Sequence, residues 1–237
     1  WPIILLAVGG LAYLGSRSWK LAIGSILSFA LIGYFGMWED TMSTIALISV
    51  ATLLCVLIGM PLGIWMAKSD RVQAVITPIL DVMQTIPIFV YLLPVLMLLG
   101  IGKVPGLIAV CVYAMPPMVR LTNLGIRLVD SDVLEAANAF GANDKQKLFG
   151  VQIPLALPNI FAGINQTIMM ALAMVVIASM IGVRGLGIPV LQDIQNQYLA
   201  LGFMNGLAIV GLAIIFDRVS QKYGKRLQEH RGGHDHG

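Results

Sequence analysis

Long apolar runs follow one another along this chain and are separated by short polar segments. A helix of about 20 apolar residues crosses the hydrocarbon core of a bilayer. Only 11% of the residues are charged, against about 25% in a soluble domain. The sequence therefore predicts an all-α polytopic membrane protein with about seven transmembrane helices, at roughly residues 2–15, 19–36, 41–67, 84–100, 104–126, 155–182 and 203–220.

The segments between these runs are too short to form a soluble domain. Residues 69–83 are mildly amphipathic and are predicted to lie along the membrane interface. The chain begins at Trp1 with an apolar run already under way, so we expect its natural start to lie upstream. We predict N-terminal membrane helices over 1–40, a core domain over 41–220, and a basic, disordered tail over 221–237.

The distribution of Lys and Arg indicates an orientation, because cytoplasmic loops are enriched in these residues. With the C-terminus in the cytoplasm, 13 of the 15 basic residues fall on cytoplasmic segments, and only Lys103 and Arg184 fall outside. Segment 127–153 and the tail are therefore predicted to be cytoplasmic. The basic residues lie at the ends of runs and form no stripe, so nucleic-acid binding is not indicated.

Residues that would indicate an enzyme or a metal site are scarce. Cys55 and Cys111 lie inside apolar runs and are predicted to be buried free thiols. The three histidines of the terminal HRGGHDHG favour a solvated end over a metal site. The sequence has no H-E-x-x-H, G-x-S-x-G or G-x-x-x-x-G-K-[ST] motif. We predict no catalytic residue, no metal ligand and no nucleotide bound by this chain.

The polar segment 130–153, called here the coupling segment, has the pattern of two short helices joined by a sharp bend. Ser131 is the predicted N-cap of a helix over 132–140. Gly141 stands where a helix ends in the left-handed region. Asn143, with Gln146 three residues later, predicts a capping box that opens a second helix. Pro154 and Pro158 follow and are predicted to open the next span.

The first of these helices carries an apolar face on a segment that water surrounds. An exposed apolar face usually indicates a partner that covers it. The alternative is a helix lying on lipid headgroups, which normally carries many Lys or Arg residues, but residues 130–144 carry none. We therefore predict a docking surface, with Glu135 available to a basic residue of the partner. The apolar face consists of Val133, Ala136, Ala137 and Phe140, at i, i+3, i+4 and i+7.

Glu135-Ala136-Ala137 is followed by Gly141 and then, in the next run, by Ile153 and Leu157-Pro158. This pattern resembles the EAA loop of ATP-binding-cassette importer permeases, from which it departs slightly by placing Val151 at the prescribed apolar position and by an extra Pro154. The resemblance implies a MetI-like permease core with a cytoplasmic coupling helix that sits in a cleft of an ATPase subunit. It implies that the ATPase-coupling residues are Val133, Glu135, Ala136, Ala137, Phe140 and Gly141.

Further motifs extend over about residues 45–220. They are DVMQTIP at 81–87, FVYL at 89–92, GIGKVPG at 100–106, PPMVRLT at 116–122, NQT at 165–167 and MVVIASMI at 174–181. Together they resemble the glycine betaine/proline betaine branch of these permeases, whose substrates are quaternary ammonium osmoprotectants. The resemblance implies a betaine-like substrate and leaves glycine betaine, proline betaine, choline, carnitine and trimethylamine N-oxide open.

Polar and aromatic residues within the runs are candidates for lining the substrate path. An amide in hydrocarbon needs a hydrogen-bond partner, and contacts between helices are a slightly favoured alternative. Aromatic faces attract quaternary ammonium groups, although ordinary lipid or core contact is the simpler role. Asp81 lies near the interface and is assigned a headgroup-level or capping role in preference to a path role. The candidates are Gln84, Thr85, Phe89, Tyr91, Asn165 and Gln166.

The resemblance implies the permease subunit of an ATP-driven importer in the cell inner membrane, which is a transport component and not an enzyme. The implied partners are ATPase subunits that bind ATP and Mg²⁺, a second permease copy in a homodimer, a separate extracytoplasmic substrate-binding protein, and membrane lipid. The alternative is a secondary transporter of small amines or amino acids driven by an ion gradient. Such transporters often use buried Asp, Glu or His relays, and no charge stands clearly in the middle of a run.

Overall fold

The computed structural model describes Gly9, Gly10, Tyr13 and residues 19–232, and the described chain is almost entirely helical. A π-helical segment, Leu148–Gln152, lies between the helices Asp144–Lys147 and Ile153–Ala173. The predicted run at 2–15 lies outside the described residues except for Gly9, Gly10 and Tyr13. The helices are α1 Trp19–Tyr34, α2 Trp38–Lys68, α3 Asp70–Thr85, α4 Ile88–Leu99, α5 Lys103–Arg127, α6 Ser131–Ala139, α7 Asp144–Lys147, α8 Ile153–Ala173, α9 Val175–Met180, α10 Gly187–Gln195 and α11 Leu199–Gly232.

Four helical stretches of the described chain are long and apolar enough to cross a membrane. They are α2, α5, the continuous stretch Asp144–Ala173, and Leu199–Lys222 within α11. The α3–α4 pair counts as a fifth crossing if its two bent halves form one span. The sequence predicted about seven spans. The described part has fewer because run 84–100 is only part of that bent element and α1 has just 16 residues.

The break between α3 and α4 lies at Ile86-Pro87, where the two helices meet at 92°. The helical region is disfavoured for a residue before proline, and Ile86 is extended, with φ −65° and ψ 130°. The helix is therefore interrupted at Pro87. Segment 69–83, predicted as an interfacial helix, forms the first arm of this bent element.

The core of the fold is formed by α2, α5 and α8, which approach one another closely at glycines. A Cβ atom on Gly63 of α2 would lie 2.7 Å from the carbonyl oxygen of Val119 on α5. A Cβ atom on Gly125 of α5 would lie 2.7 Å from Cβ of Asn159 on α8. Small residues at such positions let helix backbones pack tightly in a membrane. The three helices therefore form the frame against which the other elements are placed.

The two cysteines lie at the contact between α2 and α5. Both are free and buried, as predicted. The Sγ atom of Cys55 lies 3.7 Å from the carbonyl oxygen of Cys111, and the Sγ atom of Cys111 lies 3.8 Å from that of Ala51. They act as small apolar side chains with weak S–H donors.

The connection between α9 and α10 is fixed to α2 by a buried hydrogen bond. The backbone N–H of Leu186 donates to Oγ1 of Thr44 at 2.9 Å, and that hydroxyl donates to the carbonyl oxygen of Asp40 at 2.8 Å. Gly185 adopts φ 151°, and a Cβ atom there would lie 2.5 Å from Oγ1 of Thr44. Glycine is therefore required where the connection crosses α2.

The last helix is longer than the sequence predicted. The run at 203–220 is part of α11, which continues to Gly232, so residues 221–232 extend the helix in the described chain. Gln, Lys, Arg, Leu and Glu predominate in this stretch and favour helix, and an existing helix extends more easily than a new one forms. Residues 233–237 lie outside the described part of the chain.

Candidate functional site

The coupling segment begins with a capped helix, α6. The side chain of Asp130 accepts a hydrogen bond from the backbone N–H of Asp132 at 2.9 Å, and Asp130 is the N-cap. The predicted N-cap, Ser131, is instead the first helical residue, so the helix runs over Ser131–Ala139 and not over 132–140. Asp and Ser are both strong N-cap residues, and the position of the Asp130 carboxylate decides between them.

The bend after α6 has the geometry that the sequence predicted. Gly141 adopts φ 80°, in the left-handed region that favours glycine. Its N–H donates to the carbonyl oxygen of Asn138 at 2.9 Å, and the N–H of Ala142 donates to that of Ala137 at 3.0 Å. This pair of bonds is the Schellman motif, which satisfies the last carbonyl groups of a helix. The bend is therefore held by two hydrogen bonds and one glycine.

The second arm of the coupling segment is continuous with a membrane span. Asn143 and Gln146 form the predicted capping box, with both hydrogen bonds at 2.9 Å. The helix that starts there has no break before Ala173. The sequence predicted a separate short helix followed by a span opened by two prolines. That expectation is wrong because the π-helical segment leads directly into α8, whose first turn accommodates Pro154.

The apolar face of α6 is not covered by the described chain. No residue of α6 is buried. Phe140 is 92% exposed, Val133 is 41% exposed, and Phe149 on the neighbouring π-helical segment is 66% exposed. Glu135, Ala136 and Gly141 are exposed, while Ala137 is half-buried. The six predicted coupling residues therefore lie together on α6 and the bend that follows it. They are Val133, Glu135, Ala136, Ala137, Phe140 and Gly141.

The opposite side of α6 faces a cleft in the chain itself. Leu134 and Asn138 line this cleft from α6. The other lining residues are Lys68, Asp144, Lys147 and Gln152, and Nζ of Lys147 lies 2.9 Å from Oδ1 of Asp144. One side of α6 therefore contacts the body of the protein, and the other presents apolar side chains outward.

Three of the candidate path residues lie at the break between α3 and α4. Gln84 and Thr85 are exposed, and the Thr85 hydroxyl donates to the carbonyl oxygen of Asp81 at 2.8 Å. Phe89 is 51% exposed. Tyr91, one turn along α4, is partly buried, and its hydroxyl donates to the carbonyl oxygen of Ala109 at 3.5 Å.

Asn165 and Gln166 lie on α8, away from the α3–α4 break in sequence, and have different surroundings. The side-chain amide of Asn165 donates to Oδ1 of Asp217 on α11 at 2.8 Å, and its oxygen accepts from the Ser220 hydroxyl. Gln221 also donates to Asp217, at 2.6 Å. Gln166 is exposed. The contacts of Asn165 match the helix–helix alternative. Sequence analysis overlooked Asp217, although Asp217, Ser220 and Gln221 are spaced to share one helix face.

Two ion pairs join α3 to α5, and sequence analysis identified neither. Arg120 pairs with Asp81. Arg127 pairs with Asp70 at 2.7 Å and also donates to the carbonyl oxygen of Met66 at 3.0 Å. The partners are 39 and 57 residues apart in sequence, so no local pattern reveals them. Asp81, which was assigned a headgroup-level or capping role, is instead paired with a side chain of another helix.

Comparison with known proteins gives a consistent result. Residues 59–229 match the family described as "Binding-protein-dependent transport system inner membrane component". Over 205 residues the chain is 51% identical to the glycine betaine/proline betaine transport system permease protein ProW of Salmonella typhimurium, covering 86% of this chain. It spans only 58% of the length of that relative.

A second relative matches over more of its own length. The glycine betaine/carnitine transport permease protein GbuB of Listeria monocytogenes is 46% identical over 228 residues, which cover 95% of this chain and 81% of GbuB. Among solved structures, the fold is similar to a chain of an inward-facing MetNI methionine ABC transporter. The TM-score is 0.72 at 19% identity, with 80% of this chain and 94% of that chain covered. The fold is therefore that of a MetI-like permease core.

Proposed function

The chain belongs to the family of binding-protein-dependent transport system inner membrane components, and we propose that it is the permease subunit of an ATP-driven importer of betaine-like compounds. One observation carries the proposal. The coupling segment presents an uncovered apolar face, and the bend behind that face is continuous with a membrane span. This is the geometry that a membrane subunit needs when another chain supplies the energy.

The proposed partner at this surface is an ATPase subunit. Phe140 protrudes into water at 92% exposure, and burying an aromatic side chain of this size stabilises a complex by about 1.5–3 kcal/mol. The Glu135 side chain is exposed and takes part in none of the ion pairs of the described chain, so its carboxylate can pair with a basic residue of the partner. The ATPase would bind ATP and Mg²⁺, since this sequence lacks a phosphate-binding motif.

Motion of the ATPase would reach the membrane through the bend. The two hydrogen bonds at Gly141 and the capping box at Asn143 fix the angle between α6 and α7. Because the helix from Asp144 to Ala173 is unbroken, a displacement of α6 moves α8 as well. In a homodimer, two such segments would move together and change which side of the membrane the path opens to.

The substrates we propose are quaternary ammonium compounds such as glycine betaine. This rests on the similarity to ProW and GbuB, whose names give glycine betaine, proline betaine and carnitine as their compounds. Gln84, Thr85 and Phe89 are exposed at the α3–α4 break and are proposed to line the path, together with Gln166 of α8. Tyr91 is a weaker candidate because its hydroxyl is bonded to Ala109. A separate binding protein would deliver the substrate from outside.

The proposed orientation places the coupling segment and the C-terminus in the cytoplasm. The support is the charge distribution, with 13 of 15 basic residues on that side. An ATPase that uses cytoplasmic ATP could then reach the exposed face of α6. A secondary transporter would have no use for such a surface, and the family match does not favour that alternative.

Reconstitution in liposomes tests the proposal. The permease with its ATPase and binding protein should take up glycine betaine only when ATP is supplied on the coupling-segment side. The permease alone, with or without an ion gradient, should show no uptake. Uptake by the permease alone in response to a sodium or proton gradient would contradict the proposal.

A further inference from the structure

A stripe of polar residues runs along α3 towards the break at Pro87. Gln73, Thr77, Asp81 and Gln84 recur every three or four residues and therefore share one helix face. The neighbouring face carries Val72, Ile76, Leu80 and Met83, which pack against Met66 and Val119 in the core. The polar stripe is thus a distinct face of α3, on which Asp70 begins the helix and Asp81 is the charged residue nearest the break.

The partner of Asp81 lies well inside a membrane span. Helix α5 has 25 residues, and Arg120 precedes its last residue, Arg127, by seven positions. At about 1.5 Å per residue, Arg120 lies about 10 Å in from the end of a helix about 37 Å long. The hydrocarbon core is about 30 Å thick. If α5 is centred in it, the Cα atom of Arg120 lies about 7 Å inside the hydrocarbon boundary on the side where α5 ends.

The ion pair is partly exposed on the surface of the described chain. The side chains of Arg120 and Asp81 are 41% and 55% exposed. Charged side chains within spans almost always face the bundle interior or a water-filled cavity, because exposure to lipid is costly. An interfacial helix would carry many basic residues, but α3 has Arg71 alone against Asp70 and Asp81. A water-lined path is therefore the environment that fits the polar stripe.

The ion pair also retains unused hydrogen-bonding capacity. Nε of Arg120 is buried and has no hydrogen-bond partner among the described residues. A guanidinium group has five N–H donors arranged to bind a carboxylate through two parallel bonds. The Asp81 contact is made by one terminal nitrogen, Nη2. Because Asp81 contacts only Nη2, the exposed part of the guanidinium group can donate to a second carboxylate or exchange one carboxylate for another, whereas the buried Nε is out of reach of a solute.

We propose that the Asp81–Arg120 ion pair is a transient binding site for the zwitterionic substrate as it crosses the membrane. This inference rests on the proposed function and names the part of the path that the substrate contacts. The substrate carboxylate accepts hydrogen bonds from Arg120, while the quaternary ammonium group lies beside the carboxylate of Asp81. That ammonium has no N–H, so charge alone holds it there, and Gln84 stands one turn further along the same face.

Charge balance is the physical reason for a paired site. An isolated charge in a low-dielectric environment is costly, whereas a neutral set of charges is much less so. A zwitterion that inserts between Asp81 and Arg120 gives each side chain a new partner and leaves the net charge at zero. When the substrate leaves, the two side chains pair again. The site can therefore fill and empty without an uncompensated charge.

Double neutralisation tests the inference in the complex assembled with its ATPase and binding protein. Asp81→Asn with Arg120→Gln removes both charges and leaves no unpaired ion. We expect ATPase activity and thermal stability close to those of the unmodified complex. We expect ATP-driven glycine betaine uptake to fall at least about tenfold, since the substrate loses a charge-assisted hydrogen bond and the charge beside its ammonium group. Unchanged uptake would overturn the inference and leave a structural role.

The second ion pair of the same two helices provides the matched control. Asp70→Asn removes the pair at the end of α5, where Asp70 is 90% exposed, and leaves the bond from Arg127 to the Met66 carbonyl in place. Exposed pairs contribute only about 0–1 kcal/mol, so uptake should stay within about twofold. A loss as large as that of the Asp81–Arg120 variant would indicate that any contact between α3 and α5 is required, and would also overturn the inference.

Arg120→Lys decides the matter if the double variant does not assemble. Lysine keeps the charge but cannot bind a carboxylate through two parallel bonds, so uptake should fall at least about threefold with ATPase activity retained. Uptake equal to that of the unmodified complex would overturn the inference. If the unmodified complex takes up no glycine betaine with ATP, both the proposed function and this inference fail. If the unmodified complex takes up glycine betaine with ATP but the variants do not behave as stated, the inference fails and the proposed function stands.

Discussion

The backbone N–H of Ala142 donates to the carbonyl oxygen of Ala137 at 3.0 Å, and this bond closes the bend of the coupling segment. This bond joins the residue after the bend to the last turn of α6. Asn143 then starts the helix that continues to Ala173. A short exposed helix is thereby joined at a fixed angle to a membrane span. The proposed coupling depends on this angle more than on any single contact with the partner.

Replacement of Gly141 tests the bend. Gly141→Ala places a side chain at φ 80°, which costs about 1–2 kcal/mol, and Gly141→Pro also removes the N–H that bonds Asn138. We expect Gly141→Ala to reduce ATP-driven uptake several-fold and Gly141→Pro to abolish it, with membrane insertion intact. Uptake in proteoliposomes measures the effect.

Gly150 is the matched control for this prediction. It lies in the π-helical segment, its φ is not in the left-handed region, and a Cβ atom there would meet no atom within 4 Å. Gly150→Ala should therefore leave uptake unchanged. Equal effects of alanine at positions 141 and 150 would contradict a specific role for the bend.

Reversal of charge at Glu135 tests the docking surface. Glu135→Arg breaks no ion pair within the described residues, because the Glu135 side chain forms none there. If it pairs with a basic residue of the ATPase, repulsion should abolish uptake, and Glu135→Gln should reduce it less. Co-purification of the ATPase with each variant should follow the same order. Normal uptake by Glu135→Arg would count heavily against docking at this face.

Thr44 is expected to stabilise the connection between α9 and α10. Thr44→Val leaves the fully buried N–H of Leu186 without its acceptor, which costs about 1–3 kcal/mol. Thermal unfolding in detergent should show the loss. Thr41→Val is the control: the Thr41 hydroxyl donates only to the Met37 carbonyl, which also accepts the Thr41 N–H. Similar losses for both variants would remove the special role of Thr44.

The contact between Asn165 and Asp217 distinguishes packing from path lining. Asn165→Ala leaves Asp217 with only the Gln221 side chain as a donor, so thermal stability should fall by about 1–3 kcal/mol. Uptake per correctly assembled complex should be unchanged if Asn165 only joins α8 to α11. A changed substrate preference at unchanged stability would instead place Asn165 in the path.

The local features of the coupling segment could be predicted because each is encoded within a few residues. Glycine adopts the left-handed conformation of the bend without strain, which makes Gly141 recognisable in the sequence. Asn143 and Gln146 supply the two side chains of the capping box. The N-cap was misplaced by one residue because Asp130 and Ser131 are both competent. The continuity of the second arm was missed because two prolines were taken to start a span, although proline fits the first turn of a helix.

The candidate path could be predicted only in part, because its key contacts are distant in sequence. Asp81 and Arg120 each look like an isolated charge near the end of an apolar run, and their pairing emerges only when α3 packs on α5. Asn165 illustrates the opposite case. Its amide was a path candidate with helix–helix contact slightly favoured, and its partner Asp217, which could not be identified from the sequence, lies 52 residues away on α11.

Site-directed crosslinking tests the central claim most directly. Cys55 and Cys111 are both buried, so Phe140→Cys introduces an exposed thiol at the centre of the proposed docking face. A thiol-attached photocrosslinker at this position should react with the ATPase subunit in the assembled complex. The same probe on Asn138→Cys, which faces the internal cleft, should react much less. An adduct from position 140 with phospholipid alone, and none with the ATPase, would contradict the account.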